Sequence, residues 1–153
     1  MRSLVLVLSV VLVSGSALKA QSEEARVLAV VQQLFEGMRA RDTAKMRATL
    51  HPQARMVSPG TRDGVVLVSV DSPDRWLAGV ASAPATTGIL DERVRNPVVH
   101  LDGPLASYWA EYSFYLGERL SHCGVDTFHL VRTADGWRII DLADTRRKDG
   151  CSP

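Results

Sequence analysis

Apolar residues in the first part of the chain recur with helical spacing. From Val27 to Met38 they lie three or four positions apart, with charged and amide residues between them. This periodicity predicts an amphipathic helix over about residues 22–41. Ser22 is a suitable N-cap residue, because its hydroxyl can accept a hydrogen bond from the first turn.

Two shorter helices are predicted after the first. Asp42 can cap the second, which would carry Met46 and Leu50 on one face before Pro52 ends it. Ser72 followed by Pro73 favours the start of a third, because proline fits the first turn of a helix.

The remainder of the chain has the pattern of antiparallel strands. Glycine-containing turns separate runs that are rich in β-branched and aromatic residues. Helices followed by a long meander predict an α+β fold. The strands are expected at residues 54–58, 65–70, 93–101, 105–116, 120–132 and 137–145.

Alternation along the last three strands predicts which side chains share one side of the sheet. Hairpins centred on Glu118 and Asp135 would place Asp126 opposite Asp144, on a side that is otherwise apolar and aromatic. That side would pack under the helices. It would carry Ala106, Tyr108, Ala110, Tyr112, Phe114, His122, Gly124, Asp126, Phe128, Leu130, Ile140, Leu142 and Asp144.

Asp126 is the principal candidate for chemistry, because a buried acid must be paired, hydrogen-bonded or protonated. One interpretation is a pocket acid that bonds a ligand. The other is a structural group that accepts from Tyr108 or Tyr112, or pairs with Arg93 or Arg95. His122 and Asp144 lie near it on the same side and are the further catalytic candidates.

The opposite side of the sheet is too apolar for a fully hydrated surface. A homodimer through this side explains the pattern, and coverage by the C-terminal tail is the alternative. The residues on this side are Trp109, Glu111, Tyr115, Val125, His129, Val131, Ile139 and Ala143.

Residues 1–20 have the features of a secretory signal peptide. Arg2 precedes an apolar run from Leu4 to Val13, and Ala20 offers a cleavage point. A membrane anchor is the alternative, but the run is shorter than the roughly 20 residues that span a bilayer. Removing this segment leaves 16 basic and 17 acidic residues. Such a balance does not favour nucleic acid as a partner, and it predicts a secreted or periplasmic protein with no membrane segment after cleavage.

The chain has two cysteines, Cys123 and Cys151, which in an exported protein suggest a disulfide. Two free thiols are the alternative. The four histidines show no metal-binding spacing, and neither a phosphate-binding glycine loop nor a serine-nucleophile motif occurs. No metal and no cofactor are therefore expected.

The order of elements resembles the nuclear transport factor 2-like superfamily. The resemblance is carried by the long helix ending Arg41-Asp42, by LHPQARMVSPG, and by the final hairpin GVDTFHLVRTADGWRII. It covers about residues 22–146, leaving 147–153 as a tail, and the nearest branch is described as "putative lumazine-binding". It implies a cone-shaped roll, in which a curved sheet wraps three helices around a pocket.

The superfamily includes ketosteroid isomerases, polyketide cyclases and scytalone dehydratase. The resemblance places the isomerases' oxyanion tyrosine at Leu34, their base at Ser58 and their protonated aspartate at Asp126. Only the last position matches, so steroid isomerisation is not expected.

Three hypotheses follow. The first is an exported protein that binds a small apolar or aromatic molecule. The second is a lyase or isomerase in which Asp126 acts as acid or hydrogen-bond donor and His122 or Asp144 as base. The third is a non-catalytic dimeric interaction module. The predicted ligand-binding residues are Phe35, Trp76, Tyr108, Tyr112, Phe114, Asp126 and Phe128.

Overall fold

The computed structural model describes residues 22–151 and confirms the α+β prediction. Three helices pack on a curved sheet whose strand order is β2-β1-β6-β5-β4-β3. All neighbouring strands are antiparallel except β1 and β6, which are parallel. The elements are α1 (Glu23–Ala40), α2 (Thr43–Arg47), β1 (Leu50–Arg62), β2 (Val65–Asp71), α3 (Pro73–Ser82), β3 (Leu90–Asp102), β4 (Leu105–Leu116), β5 (Arg119–Thr133) and β6 (Gly136–Asp144), with a short 3₁₀ turn at Ala85–Thr87.

Helix α1 lies within one residue of its predicted bounds. The Ser22 hydroxyl accepts from the Ala25 N–H at 3.2 Å, as an N-cap does. Its apolar face is buried in the core. Gly37 allows α2 to approach closely, because an added Cβ would lie 2.7 Å from Cγ of Met46.

The prediction for the second helix was wrong at its end. Asp42 does cap α2, but the helix stops at Arg47, and Leu50 begins β1 instead of lying on a helix face. Leu50 pairs with Ile139 of β6. The backbone hydrogen bonds available beside β6 therefore prevail over the local helical pattern.

Strand β1 is also longer than the predicted 54–58 segment and runs through Pro59 and Gly60. Its pairing with β6 reaches only Val57, and from there to Arg62 it pairs with β2 alone. Beyond Val57 this part of β1 has a paired strand on one side only, and proline is tolerated in such edge positions.

The pairing of β4 with β5 agrees with the prediction over the residues that matter here. Tyr108 lies opposite Phe128, and Ala110 lies opposite Asp126. The predicted pair of Asp126 with Asp144 also forms. Both acids are buried, with exposures of 2% and 7%.

A bulge in the last hairpin reverses one assignment. The register shifts between His129 and Leu130, so Leu130 pairs with Ile139 and not with Ile140. Ile139 is fully buried in the core, although alternation placed it on the outer side. An extra residue in one strand moves every residue beyond it to the other face.

The outer side of the sheet is partly covered by its own side chains. Tyr115, predicted to be part of this surface, is only 7% exposed. The Arg93 guanidinium lies 4.1 Å from its ring centre. Trp109, by contrast, is 41% exposed.

The predicted disulfide between Cys123 and Cys151 is present. A backbone bridge between Cys123 and Arg147 lies beside it, so the tail is attached to β5 by both kinds of contact. The predicted signal peptide, residues 1–20, lies outside the described residues. Within residues 22–151, no helix is long and apolar enough to cross a membrane.

Candidate functional site

A cavity of about 680 Å³ opens between α3, the β1–β2 hairpin and the inner side of the sheet. Its walls combine aromatic and aliphatic side chains with several ionisable groups. Such a mixture is typical of small-molecule sites, and the volume is within their usual range. The lining residues used below are Ser58, Asp71, Arg75, Trp76, Gly79, Glu92, Tyr112, Phe114, His122, Asp144 and Arg146.

A second cavity, of about 550 Å³, lies between α1 and β3. Phe35 and Tyr108 contribute to its walls. Glu92 lines both cavities, so this carboxyl group lies where the two spaces approach each other.

The carboxyl groups of Glu92 and Asp126 lie close enough for a protonated Asp126 to donate a hydrogen bond to Glu92. Burial, which disfavours the charged form, raises the pKa of Glu92 to about 7 and raises that of Asp126 well above its ordinary value. Two carboxyl groups in contact need a proton between them. Oδ2 of Asp126 is buried without a hydrogen-bond partner among residues 22–151, so the neutral, protonated carboxyl is the less costly form there.

Asp144 is the carboxyl group of the cluster that has hydrogen-bond partners of its own. Its Oδ1 accepts a short hydrogen bond from the Ser58 hydroxyl, and its Oδ2 accepts from Nε of Arg146 at 2.6 Å. Glu92, with its pKa of about 7, is the carboxyl group of this cluster that titrates near neutral pH, while Asp126 keeps its proton to higher pH.

His122 packs between two rings of the same wall. Its ring centre is 5.7 Å from that of Tyr112 and 5.0 Å from that of Phe114. Burial and the nearby Arg146 charge lower the pKa of His122, which favours a neutral imidazole.

The two tyrosines do not satisfy Asp126. The Tyr112 hydroxyl donates to the Thr145 carbonyl at 2.8 Å, and the Tyr108 ring stacks on Phe128 at 5.2 Å. Burial raises the pKa of both tyrosines. Arg93, another partner considered for Asp126, instead pairs with Asp91 at 2.8 Å.

The structure separates the predicted site residues into groups. Trp76, Tyr112, Phe114, His122 and Asp144 line the larger cavity. Phe35 and Tyr108 line the second one. Phe128 is in the core at 1% exposure, and Asp126 is buried behind Glu92.

Sequence reasoning missed Glu92, which is the titrating group of the site. Near the turn, β3 and β4 pair as Val98 with Trp109, and extending that register would place Glu92 opposite Tyr115 on the outer side. One extra residue at the Asn96–Pro97 bulge places it opposite Phe114 instead. Asn96 has a φ of 50°, and an Asn-Pro step at this point is the signal that could have indicated the bulge.

Within residues 22–151, no group of three or more His, Cys, Asp or Glu side chains has the geometry of a metal site. The chemistry that the described side chains offer is hydrogen bonding and proton transfer by carboxyl groups next to an aromatic wall. A carboxyl with a pKa near 7 can exchange a proton at neutral pH.

The fold and cavity define a nuclear transport factor 2-like protein. The model of the family described as "Putative lumazine-binding" matches residues 22–142, and the chain belongs to that family. A search among curated proteins gives no match.

Many solved structures share the fold. A protein of unknown function of this type from Shewanella baltica has a TM-score of 0.66 at 14% identity, over 83% of this chain and 95% of the other. A "putative dehydratase" from Streptomyces avermitilis has a TM-score of 0.62 at 19% identity, over 80% and 94%. A Novosphingobium aromaticivorans protein, described as having a cystatin-like fold, has a TM-score of 0.66 at 10% identity, over 85% and 84%. At these identities the likeness establishes the fold alone.

Proposed function

We propose that this protein binds a small organic molecule in the cavity of about 680 Å³. The observation that carries the proposal is the Glu92–Asp126 carboxyl pair at the cavity wall. Asp126 is buried and Glu92 is half-buried at the cavity wall. Withdrawing two acids from water is costly when they only fill space, and apolar residues of similar size would be more stable there. A ligand that hydrogen-bonds Glu92 gives the pair a role that offsets this cost.

The aromatic residues of the same cavity support the proposal. Trp76 and Phe114 offer flat apolar surfaces beside the acids, so an aromatic or alicyclic body fits the site. Asp126 would orient the ligand through Glu92, while Tyr108 and Phe128 would shape the wall behind them. The family description, which refers to a heteroaromatic compound, agrees with such a ligand.

Export is part of this proposal. The disulfide is consistent with an oxidising compartment, and the apolar run at residues 4–13 favours secretion. A homodimer through the outer side of the sheet is also proposed, because Trp109 is 41% exposed there. Sedimentation velocity of the purified chain would detect the dimer.

Filling the cavity is expected to abolish binding. Gly79 lines the cavity, and a Cβ added to it would meet no atom within 4 Å, so Gly79→Leu projects a side chain into open space without strain. We expect phenylnaphthylamine, a neutral fluorescent aromatic probe, to bind the wild-type protein and to bind this variant at least about tenfold more weakly.

Ala81→Leu is the matched control, because it adds a similar side chain at an exposed position of α3 that does not line the cavity. Its probe affinity should equal that of the wild type. Equal affinity in all three proteins would place the probe elsewhere and would argue against this cavity as the binding site.

A second candidate function is proton-transfer catalysis of the lyase or isomerase type. The specific observation in its favour is the Glu92 pKa of about 7, which is suited to a general base at neutral pH. Asp126, which donates to Glu92, would position it. Glu92 would then supply the base for which the resemblance to isomerases gives no residue at Ser58.

This candidate predicts exchange at an acidic carbon. In deuterated water, the Glu92 carboxylate would remove a proton from the carbon beside the carbonyl of an aromatic ketone such as tetralone and return a deuteron. We expect NMR to show exchange that rises with pH to a plateau above about 7, and that is lost in Glu92→Gln. Equal exchange in the wild type and the variant would leave binding as the only function proposed.

A further inference from the structure

Arg146 is the cation of the acidic cluster in the larger cavity. It lines that cavity, and its described hydrogen bond to Asp144 uses Nε. A guanidinium carries five N–H donors, so donors on the two Nη atoms remain for another group. The side chain is 58% exposed, which leaves it accessible from the cavity mouth.

The backbone around Arg146 is fixed on both sides. On one side, the Thr145 N–H donates to the Val125 carbonyl at 3.0 Å, and the Tyr112 hydroxyl donates to the Thr145 carbonyl. On the other side, Arg147 and Cys123 exchange two backbone hydrogen bonds of 2.9 and 3.0 Å. The disulfide then closes the segment at Cys151. Arg146 is therefore held at the cavity and does not belong to a free tail.

A second arginine lines the same cavity from α3. Nη1 of Arg75 lies 3.3 Å from Asp71, and its side chain is 82% exposed. Each arginine is thus oriented by one aspartate, and each retains N–H donors. Both arginines can therefore offer N–H donors to an oxyanion in the cavity, and guanidinium groups bind carboxylates and similar oxyanions with two parallel hydrogen bonds.

Each arginine is paired with an aspartate, which offsets its positive charge. Binding an anion in the cavity is therefore favourable only if a negative charge of the wall is also removed. Glu92 allows this, because a carboxyl that titrates near neutral pH takes up a proton at little cost. A protonated Glu92 removes one negative charge from the wall and presents an O–H donor. The cavity can therefore accept a negative group next to Arg146 without placing that group beside a charged Glu92.

We propose that the ligand of this cavity is an organic anion, a carboxylate or a group of similar charge on an aromatic or alicyclic body, and that Arg146 binds the anionic group. This inference rests on the proposed binding function and adds the charge of the ligand. The apolar body would lie against Trp76 and Phe114, with the anionic end toward Arg146.

A matched pair of probes tests the proposal. Anilinonaphthalene sulfonate has the same rings as phenylnaphthylamine and adds one negative charge. We expect the sulfonate to bind the wild-type protein about tenfold more tightly than the neutral probe, and Arg146→Gln to remove that advantage. The affinity of the neutral probe should change less than about twofold in this variant, which shows that the cavity remains intact.

Arg147→Gln is the matched control. It removes the same charge one residue away, from a side chain that does not line the cavity. We expect it to leave the preference for the sulfonate in place. A preference that falls equally in both variants would mean general charge attraction and would overturn the assignment to Arg146.

Other outcomes separate the two proposals. If both probes bind the wild type equally and Gly79→Leu removes both, the anion site is wrong and the binding function stands. If neither probe binds the wild type, or if Gly79→Leu leaves both affinities unchanged, the binding function fails and the anion site fails with it.

Discussion

Raising the pH from 5 to 8 is expected to reduce the free energy of unfolding by roughly 2–3 kcal/mol through Glu92. The folded-state pKa is about 7, above the ordinary value of 4.5. Between these values the unfolded chain has released its proton while the folded protein keeps it. The stabilisation is therefore full below about pH 4.5 and is lost as the pH rises through 7. Asp126, whose pKa is also raised, acts in the same direction.

Urea unfolding at several pH values measures this effect. The difference between the wild type and Glu92→Gln reports Glu92 together with its effect on the Asp126 pKa, and it cancels His122, whose lowered pKa acts in the opposite direction in both proteins. The unfolding free energy of Glu92→Gln should therefore depend less on pH. Its stability relative to that of the wild type should increase as the pH rises. Glu111→Gln, at a side chain that is 44% exposed, is the control and should keep the wild-type slope. Parallel pH profiles for the wild type and Glu92→Gln would contradict the buried acid pair.

Breaking the disulfide is expected to cost roughly 3–4 kcal/mol of unfolding free energy, given the 28-residue separation of the cysteines. The cross-link restricts the unfolded chain, so its loss favours unfolding. Cys151→Ser is the suitable change, because Cys151 lies in the tail whereas Cys123 is buried at 1% exposure. The midpoint of urea unfolding should fall accordingly.

A reducing agent provides the control for this prediction. It should destabilise the wild type to about the level of Cys151→Ser and should leave the variant unchanged. If the variant unfolds at the wild-type midpoint under oxidising conditions, the backbone contacts between Cys123 and Arg147 are sufficient to hold the tail, and the disulfide does not contribute to stability.

The local features of the fold could be predicted well from the sequence. The α1 spacing and the Ser22 cap act over a few residues, so periodicity and cap chemistry are enough to locate the helix. The β4–β5 hairpin was also predictable, because its register is regular from Leu105 to Phe114. With that register, alternation alone is enough to place Asp126 among apolar residues.

Predictions that assumed an uninterrupted register were wrong near the turn of the last hairpin, although the Asp126–Asp144 pair was predicted correctly. The bulge beside Leu130 exchanged Ile139 and Ile140. The bulge at Asn96–Pro97 places Glu92, for which no side was predicted, on the inner side. Both are single extra residues that leave the composition and the apolar pattern almost unchanged, and only the second has a local signal, the Asn-Pro step. A one-residue shift in register affects the predicted site more than the predicted fold. The strand stays in place, but every side chain on it moves to the opposite face of the sheet.

The sequence by itself determined the α+β layout, the meander, the disulfide partners and the burial of Asp126, because each depends on spacing along the chain or on residue type. Only the tertiary structure decided what Asp126 contacts. Glu92 lies 34 positions earlier in the numbering and is brought to Asp126 by two strand pairings and a bulge. Arg146 is held beside Asp144 through contacts of Thr145 and Arg147 with β4 and β5. The physical reason is that a pKa and a ligand site depend on distances between distant segments, which local pattern does not specify.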